Sequence, residues 1–116
     1  MPLGVLEYRL RRANKVVGYQ KSVQGQTFYS KDLLWWNGTR IDHDERDAYL
    51  EMKDKNDRPL FDGDIVSFRE ETRERRAQIR KTGDWLEAFD IDEEVSVSVE
   101  DLQQAPSLTF VGFSLD

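Results

Sequence analysis

The residues best suited to chemistry in this chain are a histidine and the carboxylates beside it. His43 lies between Asp42 and Asp44, and an imidazole combined with carboxylates suits several divalent metals. Neighbouring residues of an extended chain point in opposite directions, however, and the sequence has no second histidine. We therefore predict a solvated loop at His43 and no metal site.

Adjacent carboxylates occur at Glu70-Glu71 and at Glu93-Glu94. General acid–base catalysis needs two such groups converging on one atom, and sequence neighbours converge only where the backbone is sharply bent. The absence of cysteine excludes disulfides, thiolate metal sites and a cysteine nucleophile. The seven glycines form no phosphate-binding motif. We predict no catalytic residue, no cofactor and no small-molecule substrate, and hence a protein that is not an enzyme.

Basic residues near the N-terminus suggest a different chemistry, the binding of phosphates. Residues 1–31 hold six lysines and arginines against one glutamate, a net +5, whereas the remaining 85 residues carry −11. On an extended strand Arg9 and Arg11 share a face, with Arg12 and Lys15 nearby. Aromatic rings for base stacking follow at Tyr19, Phe28 and Tyr29. The overall charge of −6 opposes general affinity for nucleic acid.

Length and composition favour one folded domain over residues 1–116. Hydrophobic residues make up 38% of the chain, and thirteen aromatics supply the bulk that disordered acidic chains lack. The longest uncharged stretch, residues 102–115, is too short and too polar to span a bilayer. Three arginines precede any hydrophobic region that a signal peptide would need. We therefore expect a cytoplasmic protein without a membrane segment.

The hydrophobic pattern is mostly two-fold, as in strands with one buried face. Residues 6–10 predict a first strand that turns at Ala13-Asn14 into a second, residues 15–23, in which Gly18 indicates a bulge or a close backbone approach. Leu33-Leu34-Trp35-Trp36 predicts a strand, and Asn37-Gly38 after it predicts a hairpin turn with residues 39–41 as the return.

The second half of the chain continues the pattern. Residues 69–80 suit either a strand or a short helix, and Thr82-Gly83-Asp84 favours a hairpin. Further strands are predicted at residues 27–29, 48–52, 65–68, 95–99 and 108–115. We predict an all-β fold, a small antiparallel β-barrel of SH3-like or related type, with one short helix as an option.

Turn chemistry is concentrated between residues 50 and 66. Asp54 and Asn56 are residue types that bond their own backbone in a tight turn. Gly63 supplies a positive φ, and Asp64 can cap the entry to the next strand. We interpret this segment as structural.

The same segment, LEMKDKNDRPLFDGDIV, resembles the signature of the YopX-like family of small phage and prophage proteins, approximately GLKDKNGKEIYEGDIV. The matching blocks include Lys53, Asp54, Asn56, Gly63 and Asp64. Asp57 stands where the family has a turn glycine. The resemblance implies a β-barrel, a phage or prophage setting with the host cytoplasm as location, and no defined molecular function.

Two binding functions remain. The first is a protein-interaction or self-assembling module that uses exposed aromatic surface near Trp35, Trp36 or Trp85. Of the consecutive strand residues Trp35 and Trp36, one points outward. The second is a nucleic-acid-binding barrel that uses Arg9, Arg11, Arg12 and Lys15. The −11 carried after residue 31 leaves a third option, an acidic mimic of DNA.

Overall fold

The computed structural model of the protein describes residues 5–113. Ten strands and one short helix follow each other along this part of the chain: β1 Val5–Arg12, β2 Lys15–Val23, β3 Gln26–Ser30, β4 Glu45–Lys53, β5 Pro59–Phe61, β6 Ile65–Glu70, β7 Arg73–Thr82, β8 Trp85–Asp90, β9 Val95–Val97, α1 Val99–Gln104 and β10 Thr109–Gly112. Leu115, the end of the last predicted strand, lies outside the described residues.

The strands form two five-stranded sheets, ordered β3-β2-β1-β4-β5 and β10-β6-β7-β8-β9. The pairings within them are antiparallel wherever their register is defined. The predicted all-β antiparallel class with one short helix is confirmed. Pairing that would close a barrel is not detected among residues 5–113.

The chain divides between Tyr49 and Leu50 into two compact units, here called the N-terminal and the C-terminal unit. The N-terminal unit is built on the β1–β2 hairpin. Its turn residues Ala13 and Asn14 have φ values of 52° and 64°, as a tight hairpin turn requires, so the predicted turn is confirmed. Leu10 on β1 is fully buried.

Gly18 on β2 is a point of close approach. A Cβ atom there would lie 2.5 Å from Ile41 Cδ1 and 2.7 Å from the backbone oxygen of Ser30. Only glycine leaves room for the loop that carries Ile41 and for β3 together. The predicted close approach at Gly18 is confirmed.

The segment between β3 and β4, residues 31–44, differs from the sequence prediction. The predicted strand over residues 33–36, the hairpin turn at Asn37-Gly38 and the return strand over 39–41 are wrong, because this segment forms bends and a single bridge. The bridge joins Asn37 to Tyr29 of β3 through backbone bonds of 2.7 and 3.0 Å. We call residues 31–42 the Trp35 loop.

The C-terminal unit contains the larger apolar core. The β7–β8 hairpin turns at Gly83, with φ 61°. Residues 69–70 end β6 and residues 73–80 lie in β7, with a turn between them, so the short helix considered for residues 69–80 does not form. Helix α1 begins after Ser98, whose hydroxyl accepts a bond from the Asp101 N–H, and it replaces the end of the strand predicted to reach residue 99. The buried core comprises Leu50, Met52, Leu60, Val66, Phe68, Ala77, Ile79, Ala88, Leu102 and Leu108.

Candidate functional site

The first two residues of the predicted basic face lie in an ion-pair cluster around Asp47. Arg9 and Arg11 share a face of β1, and Asp47 of β4 pairs directly opposite Arg9. The Asp47 carboxylate accepts bonds of 2.7 and 2.9 Å from Arg9 and of 2.7 and 2.8 Å from Arg11, and Glu45 approaches Arg11 at 2.8 Å. Arg9 is only 4% exposed, so its guanidinium faces a carboxylate instead of solvent.

The other members of the predicted face are exposed. Arg12 pairs with Asp42 at 2.8 Å, with both side chains in solvent, and Lys15, the first residue of β2, is exposed. Of the predicted stacking residues, Tyr19 lies opposite Arg9, whereas Tyr29 pairs with Gln20 and therefore faces the other side of the sheet. The structure does not bring the predicted phosphate-binding set together on one open surface.

The predicted tryptophans lie on the Trp35 loop, and one of them points into solvent. Trp35 is 81% exposed and its neighbour Leu34 is 79% exposed. Trp36 is half-buried: its indole N–H donates to the Leu33 carbonyl at 3.2 Å, and the Lys21 ammonium lies 4.4 Å from its ring centre. Trp35 and Leu34 thus form an apolar protrusion beside a tethered tryptophan.

Two side chains, one at the end of β3 and one in the loop, hold this protrusion in place. The Ser30 hydroxyl accepts bonds from the N–H groups of Asp32 and Leu33 at 3.2 and 2.9 Å. Asp32 Oδ1 in turn accepts the N–H groups of Leu34 and Trp35 at 2.9 and 3.1 Å, and these bonds lower the pKa of Asp32. Serine and aspartate two residues apart is a turn-forming pattern, and it is the sequence signal from which this turn could have been predicted.

A groove of about 650 Å³ runs beside Trp35, within the size range of binding pockets. Tyr29, Trp35 and Ile41 supply its apolar lining, and its charged lining residues are Lys31, Arg40, Asp32 and Asp42. Asp42 is paired with Arg12, and Asp32 accepts backbone N–H groups of the loop. Within residues 5–113 neither Lys31 nor Arg40 has an ion pair. Sequence reasoning missed Lys31 and Arg40, because only the fold of the loop places them beside Trp35, and it assigned Leu34 to a strand instead of to an exposed surface.

Asp54, in the segment that carries the family resemblance, is buried and holds a turn together. Its carboxylate accepts the N–H groups of Asn56 and Arg58 at 2.9 Å and of Phe110 at 3.0 Å. Burial raises the pKa of Asp54, but these bonds outweigh it and leave the pKa below its ordinary value. Asn56 is exposed, and Lys53 makes an exposed ion pair with Asp57 at 3.5 Å.

Gly63 and Asp64 form the second turn of this segment. Gly63 has a φ of 89°, and the fully buried Asp64 accepts the Phe61 N–H at 2.7 Å. The Asp64 carboxylate thus pairs a buried backbone N–H group at the turn between β5 and β6. These contacts give the segment a structural role.

The remaining candidates for chemistry are engaged in structural contacts. His43 Nδ1 lies 2.7 Å from the Ile41 carbonyl oxygen. Glu70 and Glu93, one from each predicted carboxylate pair, both lie against Arg75 at 3.1 and 3.8 Å, and Glu93 also pairs with Arg73. A search of the described part of the chain finds no group of three histidine, aspartate or glutamate side chains that could hold a metal ion.

Comparisons with family models, with curated proteins and with solved structures return no match. The resemblance to the YopX-like family therefore stays a prediction. Among residues 5–113 no helix is long and apolar enough to cross a membrane.

Proposed function

We propose that this chain is a non-enzymatic, cytoplasmic protein-interaction module of the YopX-like kind, and that it binds its partner through the Trp35 loop. The observation that carries the proposal is the exposure of Trp35 and Leu34 on a turn braced by Ser30 and Asp32.

Physical reasons connect this arrangement to protein binding. Tryptophan is enriched among the residues that dominate binding energy at protein interfaces. Burying one aromatic side chain removes about 150–250 Å² from water, which at about 25 cal/mol per Å² gives roughly 4–6 kcal/mol before the costs of association. A braced turn lowers those costs, because less conformational freedom is lost on binding.

The test uses a random twelve-residue peptide library displayed on phage and selected against the immobilised protein. The proposal expects peptides that bind wild type and Trp85→Ala equally but lose at least tenfold in affinity with Trp35→Ala. Trp85 is the matched control, because it is 76% exposed and lies in the C-terminal unit. Equal loss with both variants, or no enrichment, would refute binding through Trp35.

The nucleic-acid alternative requires phosphate contacts from the N-terminal cations. Arg9 and Arg11 are held by Asp47, so Arg12 and Lys15 are the cations left to test. Salt-dependent anisotropy of labelled single-stranded DNA that is lost in Arg12→Glu/Lys15→Glu would support this alternative over the protein-interaction proposal.

A further inference from the structure

A second groove lies on the C-terminal unit, and the charged residues that line it are acidic. It encloses about 500 Å³ between β8, β9 and the start of α1. Leu86, Phe89, Val97 and Val99 supply apolar lining, and Glu87 and Glu100 supply negative charge. Neither glutamate has an ion pair within residues 5–113. We call it the acidic groove.

The charge of the whole sequence is divided in the same sense. Up to Tyr49 the chain has eight lysines and arginines against six carboxylates, a net +2, whereas from Leu50 onward it has nine against seventeen, a net −8. Each copy carries −6 overall and repels a second copy at long range, so attraction between copies depends on opposite charges that meet locally at the contact and orient the two copies.

We infer that the Trp35 loop of one copy docks into the acidic groove of a second copy. The inference rests on the proposed function and names its partner. Trp35 and Leu34 form the apolar protrusion, and the acidic groove offers a cavity with an apolar lining. Lys31 and Arg40 accompany the protrusion, and Glu87 and Glu100 accompany the cavity. Both charged pairs lack partners within the described chain, so docking gives each a counter-ion.

This contact is head-to-tail, because it joins two different surfaces. Each copy keeps one loop and one groove unused after the first contact, so association continues into a ring or an open chain. A small interface with charges at its rim binds weakly, and salt screens it over about 8 Å at physiological ionic strength. Self-association should therefore grow with protein concentration and weaken with salt.

Sedimentation velocity over about 10 μM to 1 mM protein, at low and high salt, measures this association. Wild type and Trp85→Ala should self-associate at low salt, into a closed ring or an open chain. Trp35→Ala should stay monomeric over the same range. Circular dichroism melting of every variant checks that it is folded.

Charge reversal tests the pairing itself. Lys31→Glu/Arg40→Glu reverses the charges beside the loop, and Glu87→Lys/Glu100→Lys reverses the charges of the groove. Each variant alone should therefore be monomeric. Mixed, they should associate, because the intact loop of one meets the intact groove of the other. All four side chains are exposed, so folding should tolerate these changes.

Distinct results overturn the inference. Wild type that stays monomeric at about 1 mM and low salt would overturn it. So would a dimer that persists in each of the two charge-reversal variants, or a mixture of these two variants that stays monomeric. A monomer whose loop still selects Trp35-dependent peptides would refute the second copy as partner and leave the proposed function standing. A monomer that selects no such peptide would refute both.

Discussion

Replacing Asp47 with alanine should destabilise the N-terminal unit by about 3 kcal/mol, because it removes the carboxylate that faces a buried arginine. The Arg9 side chain is 5% exposed and Arg11 is 16% exposed. Because the Arg9 guanidinium is the more deeply buried of the two, most of the loss should come from Arg9.

Urea denaturation followed by tryptophan fluorescence measures this loss, since Trp35 and Trp36 lie in the same unit. The matched control is Asp42→Ala, which breaks the ion pair with Arg12. That pair has 61% and 77% exposed side chains, and exposed pairs contribute about 0.2–1 kcal/mol.

The midpoint of Asp47→Ala should fall well below that of Asp42→Ala. With about 4 °C lost per kcal/mol in a chain of this size, its melting temperature should drop by about 12 °C. Equal and small shifts for the two variants would refute the view that Asp47 neutralises a buried charge.

Three further outcomes test the turn chemistry. Because the pKa of Asp54 is lowered in the folded protein, its stabilisation is present above about pH 4 and is lost as the pH falls through the folded pKa. The free energy of unfolding of Asp54→Asn, from urea denaturation, should therefore change less with falling pH than that of wild type. An equal change in both proteins would contradict this. Gly63→Val should cost about 1–2 kcal/mol by thermal melting, because it forces valine to a φ of 89°, while Gly38→Val, in open space, should melt like wild type. Gly18→Ala should lower the melting temperature, because its Cβ would lie 2.7 Å from the Ser30 oxygen; an unchanged value would refute the close approach.

The strands were largely predictable because their determinants are local. Alternation of apolar and polar residues marks β1, and the turns at Ala13-Asn14 and Gly63 follow from residue types that tolerate positive φ. The segment around Trp35 was not predictable from its aromatic content, because strand preference depends on packing neighbours. There, Ser30 and Asp32 bind the backbone and favour a turn.

The candidate site was likewise predictable only in part from the sequence. The sequence indicated that one of Trp35 and Trp36 would be exposed, but the reason it used, a strand, was wrong. Which one points outward follows from the braced turn and from the bond between the Trp36 indole and the Leu33 carbonyl. Lys31 and Arg40 join the surface only because the loop folds back beside β3.

The sequence by itself determined the all-β class, most strand positions and the turn residues, since these depend on neighbours a few positions apart. The tertiary structure alone decided which charges are available to a partner. Arg9 looks like an open cation in the sequence, yet it binds Asp47, 38 residues further along the chain. Such pairings depend on strand register, which sets distant side chains opposite one another. Lys31 and Arg40 lie outside the paired strands and have no ion pair in the described chain, whereas Arg9 and Arg11 of β1 are neutralised by Asp47.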